Sequence, residues 1–180
     1  MSDTQAAFQA LVDLAQQSRH SAAGLPAQVD IKPHWSGIGF ELMGKRFVAP
    51  MGEVSEMLEV PLSTRLPGVQ PWVKGVANVR GRLLPLFDMG VFFGDHLTVQ
   101  HKQHRVLILE TEGLYSGLIV DRVFGMQHFP VDTFSASRDE HIGEVSGYVE
   151  GCYQVNGVEW GVFSPDKLAQ EPTFLNAAKV

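Results

Sequence analysis

The stretch Lys74-Gly75-Val76-Ala77-Asn78-Val79-Arg80-Gly81-Arg82-Leu83-Leu84-Pro85-Leu86-Phe87-Asp88 constrains the fold more than any other. It is an apolar run broken once, at Asn-Val-Arg-Gly-Arg, and a β-hairpin accounts for the break. Gly75 to Val79 form one predicted strand, Arg80-Gly81 the turn, and Arg82 to Phe87 the return. Gly81 takes φ > 0 without steric cost, as a tight turn demands, and the flanking residues favour strands. In the return strand Leu83 and Pro85 share one face and Leu84 and Leu86 the other. Both faces are apolar, so the strand is expected to be buried. Pro85 gives no N–H to a ladder and should stand at an edge or a bulge.

With 180 residues, 44% hydrophobic and 19% charged, the chain holds one full core or two small fused ones. A net charge of −6 argues against nucleic acid as a partner, because phosphate binding needs a basic face. No apolar run approaches the roughly 18 residues of a membrane span, and no basic region followed by an apolar core marks a secretory leader. No membrane insertion is expected, and a soluble, cytoplasmic location is. The single cysteine, Cys152, excludes an internal disulfide and a multi-cysteine metal site, and reads as a small core residue.

Residues 1–33 form an N-terminal extension. Ser2 or Asp3 suits a helix cap, and Phe8, Leu11, Val12, Leu14 and Ala15 recur at spacings of three and four. The helix is expected to fade near Ser18, before a linker of small residues from Ser21 to Pro26. From Trp35 the period becomes two: Ile38, Phe40 and Leu42 alternate with Gly37, Gly39 and Glu41, and Met43-Gly44-Lys45 turns the chain. Val54, Met57, Leu58 and Val60 suit either a helical turn or an extended segment. Asp88 is placed to cap a short helix ended by Gly94, and residues 95–104 read as an exposed loop. Hairpins follow at Arg105–Asp121, extended by Val123 to Phe129, and at Tyr148–Phe163 around the Asn156-Gly157 turn. Residues 131–146 are polar and irregular. Ser164-Pro165 starts a closing helix. Short strands joined by glycine turns indicate an all-β architecture of small barrels or a sandwich. The glycines keep no fixed spacing, so no internal repeat is expected.

Enzyme signatures are missing: no GxSxG elbow, Walker A, HExxH or CxxC. Gly75 and Gly81 flank a hairpin strand, which lacks the helix N-terminus that a phosphate loop needs. His101 and His104 would meet around a metal only on a helix, and beside Lys102 and Arg105 in a loop they read as solvated. No catalysis, metal or cofactor is expected. A small-ligand-binding β-barrel is the alternative from another class, although no convergent polar groups support it.

The opening stretch resembles the signature of the CheW family of chemotaxis coupling proteins, roughly Gly-Val-hydrophobic-Asn-hydrophobic-Arg-Gly, any residue, two hydrophobics, Pro, two hydrophobics and Asp. Its fixed positions are met at Gly75, Asn78, Arg80, Gly81, Pro85 and Asp88. The resemblance implies two five-stranded β-barrels side by side with a hydrophobic groove between them. It places a CheW-like domain over residues 34–172, with a C-terminal tail at 173–180. It also implies an adaptor joining a methyl-accepting chemoreceptor to a CheA-type histidine kinase in an array, and the extension suits a type IV pilus, twitching-motility system. On that resemblance Arg80 lies in the receptor-binding region, at the groove, paired with Glu56, with Glu53 and Glu59 as competing acids. Val54, Asn78, Val79 and Gly81 complete the expected partner-binding set.

Overall fold

The computed structural model describes residues 3–21, 33–137 and 140–178, and the chain divides into two units, Met1–Lys32 and Pro33–Val180. In the first, helix α1 spans Asp3–Ser21, three residues past the expected fade point. Phe8, Leu11 and Leu14 stand exposed on it. The expected linker after Ser21 lies outside the described residues, as does Ser2.

The second unit is built on two sheets. Strands β1 (His34–Leu42), β2 (Lys45–Pro50), β8 (Arg122–Pro130), β9 (Phe134–Ser135), β10 (Val149–Val155) and β11 (Val158–Phe163) form one, in the order β8-β1-β2-β11-β10-β9. Strands β3 (Val54–Glu59), β4 (Val73–Val79), β5 (Arg82–Asp88), β6 (Arg105–Thr111) and β7 (Leu114–Val120) form the other, in the order β3-β6-β7-β5-β4. The all-β, two-subdomain expectation holds. The strand counts are six and five rather than five and five, and neither ladder closes into a barrel. Residues 54–59 are extended, which settles the choice left open in sequence. Short helices α2 (Met89–Phe92), α3 (Pro165–Ala169) and α4 (Pro172–Leu175) complete the unit, α2 capped as expected by the Asp88 carboxylate accepting from Val91 N–H.

The two sheets repeat one plan. Each has an edge strand on a hairpin (β8 on β1–β2, β3 on β6–β7), then a parallel contact to the second strand of another hairpin (β2 to β11, β7 to β5). The registers correspond pair by pair. Val54↔Leu109 and Glu56↔Ile108 skip Ser55 as a bulge, and Val123↔Phe40 and Gly125↔Gly39 skip Phe124. Val76↔Pro85 answers to Cys152↔Gly161. The order along the chain is circularly permuted, because β1–β2 comes first in its sheet and β6–β7 comes last in the other. A repeat cut in this way has no single period, which is why glycine spacing hides it.

The outermost contact of each plan depends on a glycine five residues before the hairpin turn. A β-carbon on Gly151 would lie 2.5 Å from the Ser135 carbonyl oxygen of β9, and one on Gly75 would run into the Thr64 carbonyl. Only hydrogen there lets β9 lie along β10, and lets Thr64 make its bridge to Val76.

Three apolar clusters follow. Ala77, Leu84, Leu86, Val106, Ile108 and Ile119 pack within the five-stranded sheet, and Val48, Phe129, Tyr153, Trp160 and Val162 within the six-stranded one. The largest joins both, with Phe40, Phe47, Leu107, Leu109, Leu118 and Phe163 among its members. The segment set apart as a tail contributes to it: Phe174 is buried and stacks on Trp72 at 5.6 Å. Residues 131–146 are not wholly polar, since Val145 is buried in the same cluster. Where the chain passes from β7 to β8, buried Asp121 accepts backbone N–H groups from Gly44, Thr98 and Val99. A buried carboxylate held by three donors is satisfied and ties the β1–β2 turn to the loop after α2.

The return strand β5 departs from expectation at its start. Leu84 and Leu86 are buried, but Leu83 is 71% exposed, because its face of the hairpin is covered by nothing. Pro85 is not on an edge strand. It is tolerated because the parallel pairing of β5 with β7 begins one residue later, at Leu86.

Candidate partner-binding site

Arg80 and Gly81 both have positive φ, 52° and 83°, so they form the type of two-residue turn that matches strand twist. Asn78 fixes it by accepting the Gly81 N–H at 2.9 Å. The turn projects Arg80 into solvent, with its side chain 80% exposed, while one guanidinium nitrogen donates to Glu56 Oε1 at 2.7 Å. Glu56 reaches it because the bulge at Ser55 switches the facing of β3: Val54 packs on the shared core, and Leu58 on the inner one. β3 and β4 are opposite edges of the sheet order, so this ion pair joins the two edges.

Beside it lies a second pair that sequence reasoning missed. Arg82 donates to Glu110 at 2.9 Å and sits 3.8 Å from the centroid of the Tyr115 ring. The hydrogen bond to Glu110 pushes the Arg82 guanidinium further above its ordinary range, so it stays charged. Ser55, Glu56, Val79, Arg80, Arg82, Ile108, Glu110 and Tyr115 surround a depression of about 220 Å³. Of the expected set, Arg80, Glu56 and Val79 line it. Asn78 and Gly81 build the turn, and Val54 belongs to the core. The depression belongs to one sheet. The groove between the sheets is separate, lined by Met57, Leu58, Glu59, Arg105, Val123, Phe124 and Gly125.

The competing acids point elsewhere. Glu59 lies 3.7 Å from Arg105. Burial, then Asp166 and Glu150, push the Glu53 carboxyl above its ordinary value. The rings of His101 and His104 lie 5.2 Å apart on a 3₁₀ turn, and His104 Nε2 bonds the Val99 carbonyl. Among the described residues no group of three His, Cys, Asp or Glu is placed to hold a metal, and no helix is long and apolar enough to cross a membrane. Cys152 is buried, 3.6 Å from the Ser137 carbonyl.

A family model for the CheW-like domain matches residues 36–173. The chain is 53% identical to protein PilI of Pseudomonas aeruginosa over 178 residues, 99% of each chain. It is 28% identical over 113 residues to the chemotaxis protein CheW of Helicobacter pylori, covering 63% of this chain and 68% of that one. Protein FrzA of Myxococcus xanthus is 27% identical over 100 residues, 56% of this chain and 62% of its own. The fold is also that of the scaffolding protein TtCheW from Thermoanaerobacter tengcongensis, with a TM-score of 0.63 at 21% identity, covering 73% of this chain and 90% of that one. Family match and near full-length identity agree with the hairpin signature, and the chain belongs to the CheW-like domain family.

Proposed function

We propose that this protein is a cytoplasmic, non-catalytic adaptor that couples a methyl-accepting chemoreceptor to a CheA-type histidine kinase, in an array controlling type IV pilus twitching motility. The near full-length likeness to PilI supports the system, and the CheW and FrzA relatives support the coupling role. The observation that carries the site is Arg80. It is held by one bond to Glu56 on a turn locked by Asn78, and its remaining donors face solvent beside Val79. A guanidinium fixed in direction but exposed suits recognition of carboxylate or carbonyl groups on a partner helix. Mechanism needs no bond making. A rigid β body with two separate contact surfaces raises the effective concentration of receptor and kinase for each other.

The test is ternary capture. An immobilised cytoplasmic fragment of a methyl-accepting chemoreceptor from the same organism should retain a CheA-type kinase only when the adaptor is added. Kinase retained equally without the adaptor would remove the coupling role.

A further inference from the structure

Helix α1 is left with an apolar face that its own unit does not cover. At spacings of three, Phe8, Leu11 and Leu14 fall on one side of it, 66%, 66% and 64% exposed, and of residues 5–18 only Val12 is less than exposed. A protein helix owes most of its stability to the packing of such a face, so a helix of 19 residues in this state needs a second surface. The sequence of the helix points to its own copy. Read outward from Leu11 in both directions it repeats itself in kind: Phe8 answers Leu14, Ala7 answers Ala15 and Gln5 answers Gln17. Height and rotation along a helix are both linear in residue number, so each pair is symmetric about Leu11 in both. The stripe therefore maps onto itself when the helix is turned end for end.

That symmetry is what an isologous contact needs, in which residue i of one chain meets j of the other and j meets i. Charge agrees. An end-for-end pairing sets the Asp3 end of one helix beside the Arg19 end of the other, with the dipoles opposed, whereas a parallel pairing sets like ends together. A lipid surface fits poorly. Helices that lie on membranes carry Lys and Arg on the polar face, and here that face holds Gln5, Gln9 and Asp13. Asp13 is the one charge between residues 5 and 18, so the helix offers an unlike partner no charge pattern by which to be selected.

We propose that α1 is a self-association element, pairing antiparallel with α1 of a second copy of this chain. Leu11 meets Leu11 on the two-fold axis, and Phe8 of each copy lies level with Leu14 of the other. The inference goes beyond the adaptor reading and does not depend on it. Two helices about 28 Å long bury less than the roughly 1,200 Å² of a standard stable interface, so the contact is weak, with a Kd of about 100 µM. At that strength the chain is a monomer when dilute and pairs where copies are held close together.

Sedimentation equilibrium and disulfide trapping on the full chain test it. The mean mass should rise from one chain towards two between about 10 µM and about 1 mM. Leu11→Asp places two charges on the axis and should weaken association by about tenfold or more. The melting temperature of the second unit should hold, since the change lies in the first. For trapping with oxidised glutathione, wild type is the blank, because its single cysteine, Cys152, is buried. Leu11→Cys should form a linked dimer with itself, and Gln9→Cys, on the opposite face, should not. Phe8→Cys should link faster to Leu14→Cys than to itself. Three results would each overturn the inference. A mass of one chain at about 1 mM removes self-association, and association untouched by Leu11→Asp moves it to another surface. Phe8→Cys linking to itself as fast as to Leu14→Cys makes the pairing parallel.

Discussion

The two hairpins β4–β5 and β10–β11 occupy the same place in the same plan and end in turns of nearly equal geometry, with φ of 52° and 83° at Arg80-Gly81 and 52° and 74° at Asn156-Gly157. Their chemistry differs completely. Opposite Arg80 stands Glu56; opposite Asn156 the corresponding position is Gly125, with φ of 75°. Where Tyr115 supports Arg82, the other sheet has Arg46 over the Phe124 and Trp160 rings at 5.3 Å from each centroid. One end is a rim of ion pairs around a depression of about 220 Å³; at the other, Arg46 stacks on two rings beside a depression of about 420 Å³ lined by Arg46, Gly157 and Val158. The frame supplies position, and a few substituted side chains give two equivalent tips different surfaces.

Breaking the frame should cost most. Gly75→Ala meets the Thr64 carbonyl at a φ of 136°, and the destabilisation should be about 3 kcal/mol or more, read by denaturant unfolding. Gly151→Ala faces the Phe134 ring and the Ser135 carbonyl without a positive φ, so its loss should be smaller. Equal losses would contradict the added cost assigned to the positive φ at Gly75.

Glu53, in the turn before β3, offers a pH test of a carboxyl set against acids of α3 and β10. Its carboxyl is pushed up by burial first and then by Asp166 and Glu150, so the folded state binds the proton more tightly than the unfolded one. The stabilisation from protonation is present at acid pH and lost as pH rises through the raised value. Glu53→Gln should therefore melt higher than wild type at neutral pH, with the advantage shrinking as pH falls through the raised value and gone below the ordinary carboxylate range. A constant advantage across that range would contradict the assignment.

The smallest effect concerns the shared core. Ser116 occupies the position of Phe47 in the other sheet, and its hydroxyl is buried with no hydrogen-bond partner among the described residues. Ser116→Ala should be neutral or stabilising by about 0.5–1 kcal/mol in thermal melts, since it removes an unsatisfied polar group. A clear loss would reveal a partner for that hydroxyl.

Local features were legible in the sequence. The Arg80-Gly81 and Asn156-Gly157 turns, the Asp88 cap and the alternation of Ile38, Phe40 and Leu42 each depend on neighbours within a few residues. What converges through parallel pairing was not. Arg82 sits at a position the family signature leaves unspecified. It meets Glu110 and Tyr115 only because β5 lies beside β7, a contact between segments about thirty residues apart. Leu83 misled for a related reason: alternation shows that its face is apolar, while exposure depends on whether another layer covers it. Glu56 was preferred over Glu53 and Glu59 by resemblance alone, and the bulge at Ser55 supplies the geometric cause.

The most direct measurement is receptor capture by Arg80→Glu, with kinase capture and melting temperature recorded on the same preparation. The pair is exposed on the arginine side, so its loss should change stability by no more than about 1 kcal/mol. Receptor capture should fall by about tenfold or more, as expected for a charge reversed at an interface contact, while kinase capture persists. A variant that melts normally and captures receptor at wild-type strength would remove Arg80 from the site. One that melts low and loses both partners together would make the arginine a brace for Glu56 rather than a recognition residue.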